Sequence, residues 1–208
     1  MAATRLFAAR GFAGVRTRDI AAAAGLNMAT IAYHHGTKGD LYHAVFRRLA
    51  DRERRLAGEL VASLRDEPLD GDASVARFAD RVAAGLVEMT AEYPGAPRLW
   101  MRRWLAGPDD PEGIEADCTV PVLRVFEEII DRFAAATGRH YRGPSPTLLI
   151  KSVVWILYGY FTDGPLDWKT ARRDPADPAG RAELRRFLAD YLCRMLAVPS
   201  PYEPGRET

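Results

Sequence analysis

Residues 17–42, TRDIAAAAGLNMATIAYHHGTKGDLY, constrain this chain more tightly than any other stretch. They read as two short helices joined by a tight turn, followed by the start of a third. Thr17 is placed to N-cap a helix whose apolar positions Ile20, Ala21 and Ala24 face one way. Gly25 ends that helix, because glycine tolerates the left-handed backbone a helix stop needs. Asn27 is a second N-cap, opening a helix from about Met28 to His34 that buries Ile31 and presents Met28, Ala29, Thr30, Tyr33 and His34. The alanines of the first helix let the second cross it at short range. A short helix, a three-residue turn containing Gly and a second short helix form the layout of a DNA-binding helix-turn-helix. The expectation is sequence-specific binding of double-stranded DNA.

Position then assigns roles. Thr17, Thr30 and Lys38 lie at helix starts or on the exposed edge, where hydroxyl, ammonium and backbone N–H groups hold phosphate oxygens. Arg16 and Arg18 flank the first helix and can do the same or reach the minor groove. Asn27, Met28, Ala29 and Tyr33 are the candidates for base edges in the major groove. Asn pairs with adenine, and Met and Ala touch a thymine methyl. Tyr33 suits a phosphate contact through its hydroxyl, and His34 suits either role or plain surface. The recognition helix carries no Arg, so guanine readout has to come from elsewhere, with Arg18 the candidate.

Charge distribution agrees. The whole chain is close to neutral at +1, but residues 1–55 hold ten Lys/Arg against four acids, giving +6. The remaining 19 basic and 24 acidic residues of the totals give −5 for 56–208. A basic head on an acidic body suits a phosphate-facing module with a solvated remainder. Cys118 and Cys193 stand far apart without a companion pattern, which argues against a disulfide or metal framework and fits a reducing cytoplasm. The most apolar run, Leu148 to Phe161, is interrupted by Lys151 and falls short of the ~20 residues that span a bilayer. No membrane association and a cytoplasmic location are expected.

The motif resembles the N-terminal domain of the TetR/AcrR family of bacterial transcriptional regulators. The similarity extends upstream through Leu6-Phe7-Ala8-Ala9-Arg10-Gly11-Phe12, which looks like the family's first-helix ending, and downstream through Thr37-Lys38-Gly39-Asp40-Leu41-Tyr42, which looks like its fourth-helix start. It covers about the first 50 residues. The segment Ala32 to Gly36 is closest to the subgroup with a Tyr-x-Phe-Gly-type ending on the recognition helix. His35 stands where that subgroup usually has Phe, and Gly39 where Glu is usual. Helix one in the family usually begins before the position matching Ala3. Either the true start lies upstream of Met1, or a short helix one is held by docking Leu6 and Phe7.

The rest of the chain reads as a helical body without strand-like alternation, so the fold class is all-α. A helix from Lys38 through Leu64 leads out of the head. Asp66–Asp72 is a loop, and Ser74 caps the next helix, which stops near Tyr93-Pro94-Gly95. A shorter helix runs from Pro97 to Ala106, followed by a Pro- and Asp-rich turn at Gly107–Gly113. A seventh helix covers Ile114 to Thr137, with Pro121 predicting a kink or restart. Pro146 opens a helix through Tyr160 that is apolar nearly all round and therefore expected to be buried on every side. After a loop at 163–180, the last helix, Arg181–Ala197, carries a stripe of Leu184, Leu188, Tyr191, Leu192 and Met195. The expected organisation is a helix-turn-helix DNA-binding domain over 1–46, a larger helical ligand-binding and dimerisation domain over 47–197, and a Pro-rich disordered tail over 198–208.

The last two helices resemble those with which TetR-family subunits pair as a four-helix bundle. Independently, a small body has to cover both an all-apolar helix and a striped one, and a symmetric partner supplies the missing surface. A homodimer through residues 146–160 and 181–197 is expected, with the 163–180 loop reaching over the partner. The resemblance also implies a pocket in the body for a small, mostly apolar effector that releases the protein, a repressor, from a near-palindromic operator. Met89, Trp100, Trp104, Phe126, Trp155 and Tyr158 are the candidates for its wall, and Arg102 and Arg103 for anchoring an acidic ligand or for solvated surface.

Enzymatic readings find little. Gly-x-Ser-x-Gly, His-Glu-x-x-His, P-loop and dinucleotide signatures are lacking, and no cofactor is called for. His34, His35 and His43 make no metal shell, because adjacent histidines diverge by about 100° on a helix and no Cys or carboxylate completes the set. The competing class is a helical small-molecule-binding protein without a DNA function.

Overall fold

Local signals in the sequence set the helix ends in a computed structural model of the chain that describes residues 2–106, 110–138, 145–164 and 174–202. Among them the chain forms α1 (Ala2–Arg10), α2 (Thr17–Ala24), α3 (Met28–His35), α4 (Lys38–Ser63), α5 (Asp72–Ala91), α6 (Gly95–Trp104), a π-helical turn (Glu115–Thr119), α7 (Val120–Thr137), α8 (Pro146–Asp163) and α9 (Pro178–Met195). No strand occurs among the described residues, and no helix among them is long and apolar enough to cross a membrane.

Two cores organise these helices. In the head, α1, α2, α3 and the first half of α4 bury Phe7, Val15, Ile20, Ile31, Leu41, Tyr42 and Phe46. The same core takes in Leu99 and Trp100 of α6, and Ile114 and Cys118 near the π-helical turn. The expected boundary at 46 falls inside a continuous α4, and α6 of the body closes the head's core. In the body, α5, α7, α8 and α9 bury a second set that includes Phe78, Val82, Leu86, Phe126, Phe133, Val153, Leu157, Leu184 and Leu188. α5 crosses α4 closely at Gly85, where a side chain would collide with the Leu60 methyls. Arg132 of α7 donates to the carbonyls of Leu64 and Glu67, placing a cation on the orphan carbonyls after α4.

Several sequence expectations shift. Thr17 does not cap α2. Arg16 occupies the cap position without a side-chain cap, and its N–H donates to the Asp19 carboxylate at 3.3 Å, which also places a negative charge in the first turn. Ser74 likewise sits inside α5. Gly71 holds the cap position, and the Ser74 hydroxyl accepts from Gly71 N–H and donates to Gly71 C=O. Pro121 falls in the first turn of α7, after the π-helical turn, where its missing N–H costs nothing. The restart it predicts is observed. The body helices α6 and α9 each begin earlier than their apolar stripes suggest, at Gly95 and Pro178.

α8 is not buried on every side, since Leu148 and Trp155 are exposed. The tail expectation fails at its first residues. Val198 and Ser200 are buried, and the Tyr202 hydroxyl donates to Asp80 at 2.8 Å. Residues 203–208 lie outside the described residues, as do 107–109 of the Gly107–Gly113 turn. Residues 165–173, in the loop expected to reach over a partner, lie outside them too.

Candidate nucleic-acid interface and ligand cavity

The helix-turn-helix is held by hydrogen bonds at its helix ends. Gly25, at φ 66°, ends α2 in the left-handed region. Its N–H donates to Ala22 C=O and the Leu26 N–H to Ala21 C=O, the paired bonds of a Schellman stop. Asn27 then starts α3, its Oδ1 accepting from Thr30 N at 2.7 Å. Every residue of α3 except Ile31 and the half-buried Thr30 is exposed, so one isoleucine anchors a helix that otherwise faces outward. Tyr33 is 86% exposed and stands edge-on to His34. Met28 and Ala29 are exposed on the first turn.

Two of the candidate DNA contacts are partly committed inside the protein. The Thr30 hydroxyl donates to Asn27 Oδ1 at 2.9 Å, so its only proton is taken and it retains acceptor capacity alone. Asn27 keeps its amide N–H groups, and its carbonyl is engaged twice. A bidentate pairing of Asn27 with adenine therefore requires breaking the cap. Arg16 and Arg18 are exposed on either side of the half-buried Thr17, and Arg18 lies 3.8 Å from Asp19. Lys38 lies at the start of α4, with its ammonium 4.1 Å from the centroid of the Phe12 ring.

Thr37, which the sequence reading passed over, caps α4. Thr37 Oγ1 accepts from Asp40 N, and the Asp40 carboxylate accepts from both Thr37 N and Thr37 Oγ1. These bonds hold the Asp40 carboxyl below the usual carboxylate range. The signal was present as Thr-x-x-Asp, a capping box in which Asp replaces Glu.

Between α4, α5, α6, α7 and α8 lies a cavity of about 110 Å³. Met89, Trp100, Trp104, Phe126 and Tyr158 line it as expected, with aliphatic side chains from α5, α7 and α8 completing the wall. Trp155 does not. It points away from the cavity and is 54% exposed. In an apolar helix without a polar face, periodicity cannot tell which aromatic residue faces inward.

One corner of the cavity is polar. Glu53 of α4 accepts from the Tyr158 hydroxyl at 2.8 Å and from the Trp100 indole N–H at 3.2 Å, joining α4 to α8 and α6. Burial raises its pKa from 4.5 to about 7 against the opposing pull of those two donors. The Tyr158 hydroxyl is in turn held well above the usual phenol range by burial and the adjacent carboxylate. Sequence reasoning missed Glu53 because Asp51-Arg-Glu-Arg-Arg55 looks like a solvated run. Its register was the available signal, four residues after Leu49 and three before Leu56.

Arg102 and Arg103 do not line the cavity. Arg102 donates to the carbonyls of Ala8 at 3.2 Å and Ala9 at 3.0 Å, so a body residue covers the C-terminal end of α1. Arg103 makes a bidentate pair with Glu115, at 2.8 and 2.9 Å, and lies 3.6 Å from Asp110. Asp110 also accepts from Tyr42 OH at 2.9 Å, which with burial raises that phenol. Among the described residues no group of three His, Cys, Asp or Glu is arranged to hold a metal ion.

Residues 1–45 match the family described as bacterial regulatory proteins, tetR family. No curated protein matches the sequence. Among solved structures, the chain is similar to the TetR-family regulator PfmR from Thermus thermophilus, at TM-score 0.53 and 22% identity over 93% of this chain and 96% of that one. It is also similar to a TetR-family member from Streptomyces coelicolor, at TM-score 0.54 and 20% identity over 92% and 87% of the two chains. A third similar structure is the fatty acid degradation regulator FadR from Bacillus halodurans, at TM-score 0.56 and 14% identity over 90% and 94%. The likeness to the tetR family thus lies in residues 1–45, and over about nine-tenths of its length the chain shares the fold of these solved structures.

Proposed function

We propose that this protein is a ligand-responsive transcriptional repressor that binds a near-palindromic operator as a homodimer and leaves it when a small, mostly apolar effector fills the body cavity. The observation that carries the DNA reading is α3. It is anchored by Ile31 and exposes Met28, Ala29, Tyr33 and His34 within a head that matches the family. Exposed Arg5, Arg10, Arg16, Arg18 and Arg48 support a phosphate-facing surface around it. Lys38, at the N-terminus of α4, is the proposed phosphate contact there.

The proposed dimer face is narrower than the two helices that carry it. Leu148 and Trp155 on α8 and Phe187 on α9 are exposed, and the Ser152 and Tyr191 hydroxyls, 2.8 Å apart, tie the helices together between them. Leu188 belongs to the protomer's own core and is fully buried there, so Phe187 and Trp155 test this interface and Leu188 does not. Two-fold pairing through this face brings two recognition helices to one duplex, which is what a palindromic operator requires.

The test is fluorescence anisotropy on the DNA immediately upstream of the chain's own gene, titrated with protein across a salt series. Tight, salt-dependent binding supports the proposal, and Lys38→Ala should reduce the salt slope by about one. Affinity no higher than for random duplex at every salt concentration would refute the DNA reading in favour of a small-molecule-binding protein without a DNA function.

A further inference from the structure

Resting on the cavity reading above, we infer that the effector is an amphiphilic amine whose cationic head pairs with Glu53 inside a box of aromatic rings. Both donors to Glu53, Tyr158 OH and Trp100 Nε1, end on Oε1, and Oε2 makes no hydrogen bond among the described residues. No cation lies within ion-pair distance of this carboxylate among them. The neighbouring cations of α4 are engaged elsewhere. On α4, Arg52 pairs with Glu92 of the segment after α5 at 2.9 Å and lies over Tyr93, while Arg54 pairs with Asp51 at 3.0 Å. Lys151 of α8 is a cation of the same cavity, its ammonium 5.0 Å over the Trp104 ring and acting on Glu115, and it makes no ion pair with Glu53.

A carboxylate removed from water without a counter-ion is costly, and a bound cation is what offsets that cost. The rings beside it supply the second attraction. Trp100 and Trp104 are stacked at 6.2 Å, and Trp104 and Tyr158 at 5.6 Å. Aromatic faces attract an ammonium most strongly where it is desolvated. On the same wall, Trp104 Nε1 and Thr119 Oγ1 are buried without a protein partner among the described residues. The Thr119 hydroxyl suits an ammonium N–H, and the indole N–H suits an acceptor on the ligand. The remainder of the lining is aliphatic and aromatic, and at about 110 Å³ the space suits a compact apolar tail.

The test compares three head groups on two frames: 2-phenylethylamine, 2-phenylethanol and phenylacetate, and octylamine, octanol and octanoate. Isothermal titration at pH 7, in two buffers of different ionisation heat, reads affinity and proton exchange together. The amine should bind at least tenfold more tightly than the alcohol and the acid on one of the frames. It should also release a fraction of a proton per molecule bound, because burial raises the Glu53 pKa to about 7, leaving the carboxyl partly protonated before binding and ionised afterwards. Glu53→Gln should abolish that release and cut the amine's advantage over the alcohol below threefold. Proton release from the unmodified chain needs no variant, so a misfolded Glu53→Gln protein leaves the proposal testable. An acid or alcohol that binds as tightly as the amine overturns the cation assignment. If such a compound also weakens operator binding, the cavity reading survives alone. No binding by any of the six overturns the amine assignment, and the anisotropy measurement still decides the DNA reading separately.

Discussion

Replacing Glu53 with Gln should make the ligand-free protein more stable, and more so at higher pH. The substitution keeps an oxygen to accept from Tyr158 OH and Trp100 N–H while removing the buried charge. The carboxyl titrates near 4.5 when unfolded and near 7 when folded. Because the folded pKa is raised, the folded state holds the proton more tightly than the unfolded one. Stability contributed by the acid form is complete below pH 4.5 and is lost as pH rises toward 7. Above 7 both states are ionised and the penalty is constant. A gap of about 2.5 units at ~1.4 kcal/mol per unit sets an upper limit of ~3 kcal/mol, which side-chain relaxation and water entry reduce. For a chain of this size 1 kcal/mol moves Tm by ~2–4 °C, so Glu53→Gln should melt several degrees higher than the parent at pH 8. At pH 5, where at most ~0.8 kcal/mol of the penalty is present, the variant should melt no more than ~2–3 °C above the parent. Scanning calorimetry at matched protomer concentration across pH 5–8 measures this. A difference between variant and parent that stays flat across that range, or a parent that melts higher at pH 8, would refute the claim that Glu53 is an unpaired buried acid.

Asn27→Ala removes the acceptor that caps α3 and should cost ~1 kcal/mol in a thermal melt, besides weakening operator binding in a gel shift. Arg102→Ala removes two charge-assisted bonds to α1 and should cost ~1–2 kcal/mol, with the loss of amide-exchange protection concentrated in α1. Phe187→Asp should leave each protomer folded by circular dichroism while sedimentation shows a monomer. Leu188→Asp should unfold the protomer, because it places a charge in the body core.

The features legible in the sequence were those decided by neighbours in the chain. Gly25 and Asn27 announce the turn because a left-handed stop and a side-chain cap are local necessities, and Pro121 announces the restart of α7 for the same reason. What escaped was decided across the fold. Arg102 and Arg103, between two cavity tryptophans in sequence, point off the other side of α6, toward α1 and Glu115. Trp155 and Tyr158 are equivalent aromatic candidates until α8 is given a rotation, and its all-apolar composition withholds one. The stripe of α9 is apolar for a reason its sequence does not reveal. Leu184 and Leu188 face the protomer's own core, leaving Phe187 outside.

The proposed release of DNA by a cavity ligand would run through residues that belong to two packing groups at once. Phe7 and Phe12 meet Tyr42 at 4.8 and 5.0 Å, Tyr42 meets Phe46 at 4.9 Å, and Phe46 meets Trp100 at 4.6 Å. Trp100 then leads through Trp104 to Tyr158. Trp100 is a member of the head's core and of the cavity wall together. Close-packed interiors do not absorb a displaced ring locally, so a ligand that moves Trp100 presses on Phe46 of α4. The next residue but one along α6, Arg102, grips the end of α1, so a shift of α6 acts on the head at a second point. Contact alone transmits no free energy. A tenfold loss of DNA affinity requires the ligand to prefer the DNA-free arrangement by ~1.4 kcal/mol, and Glu53 offers a means to that preference. It is a polar tie between α4, α6 and α8, and a cation bound to it changes how strongly those three helices hold one another.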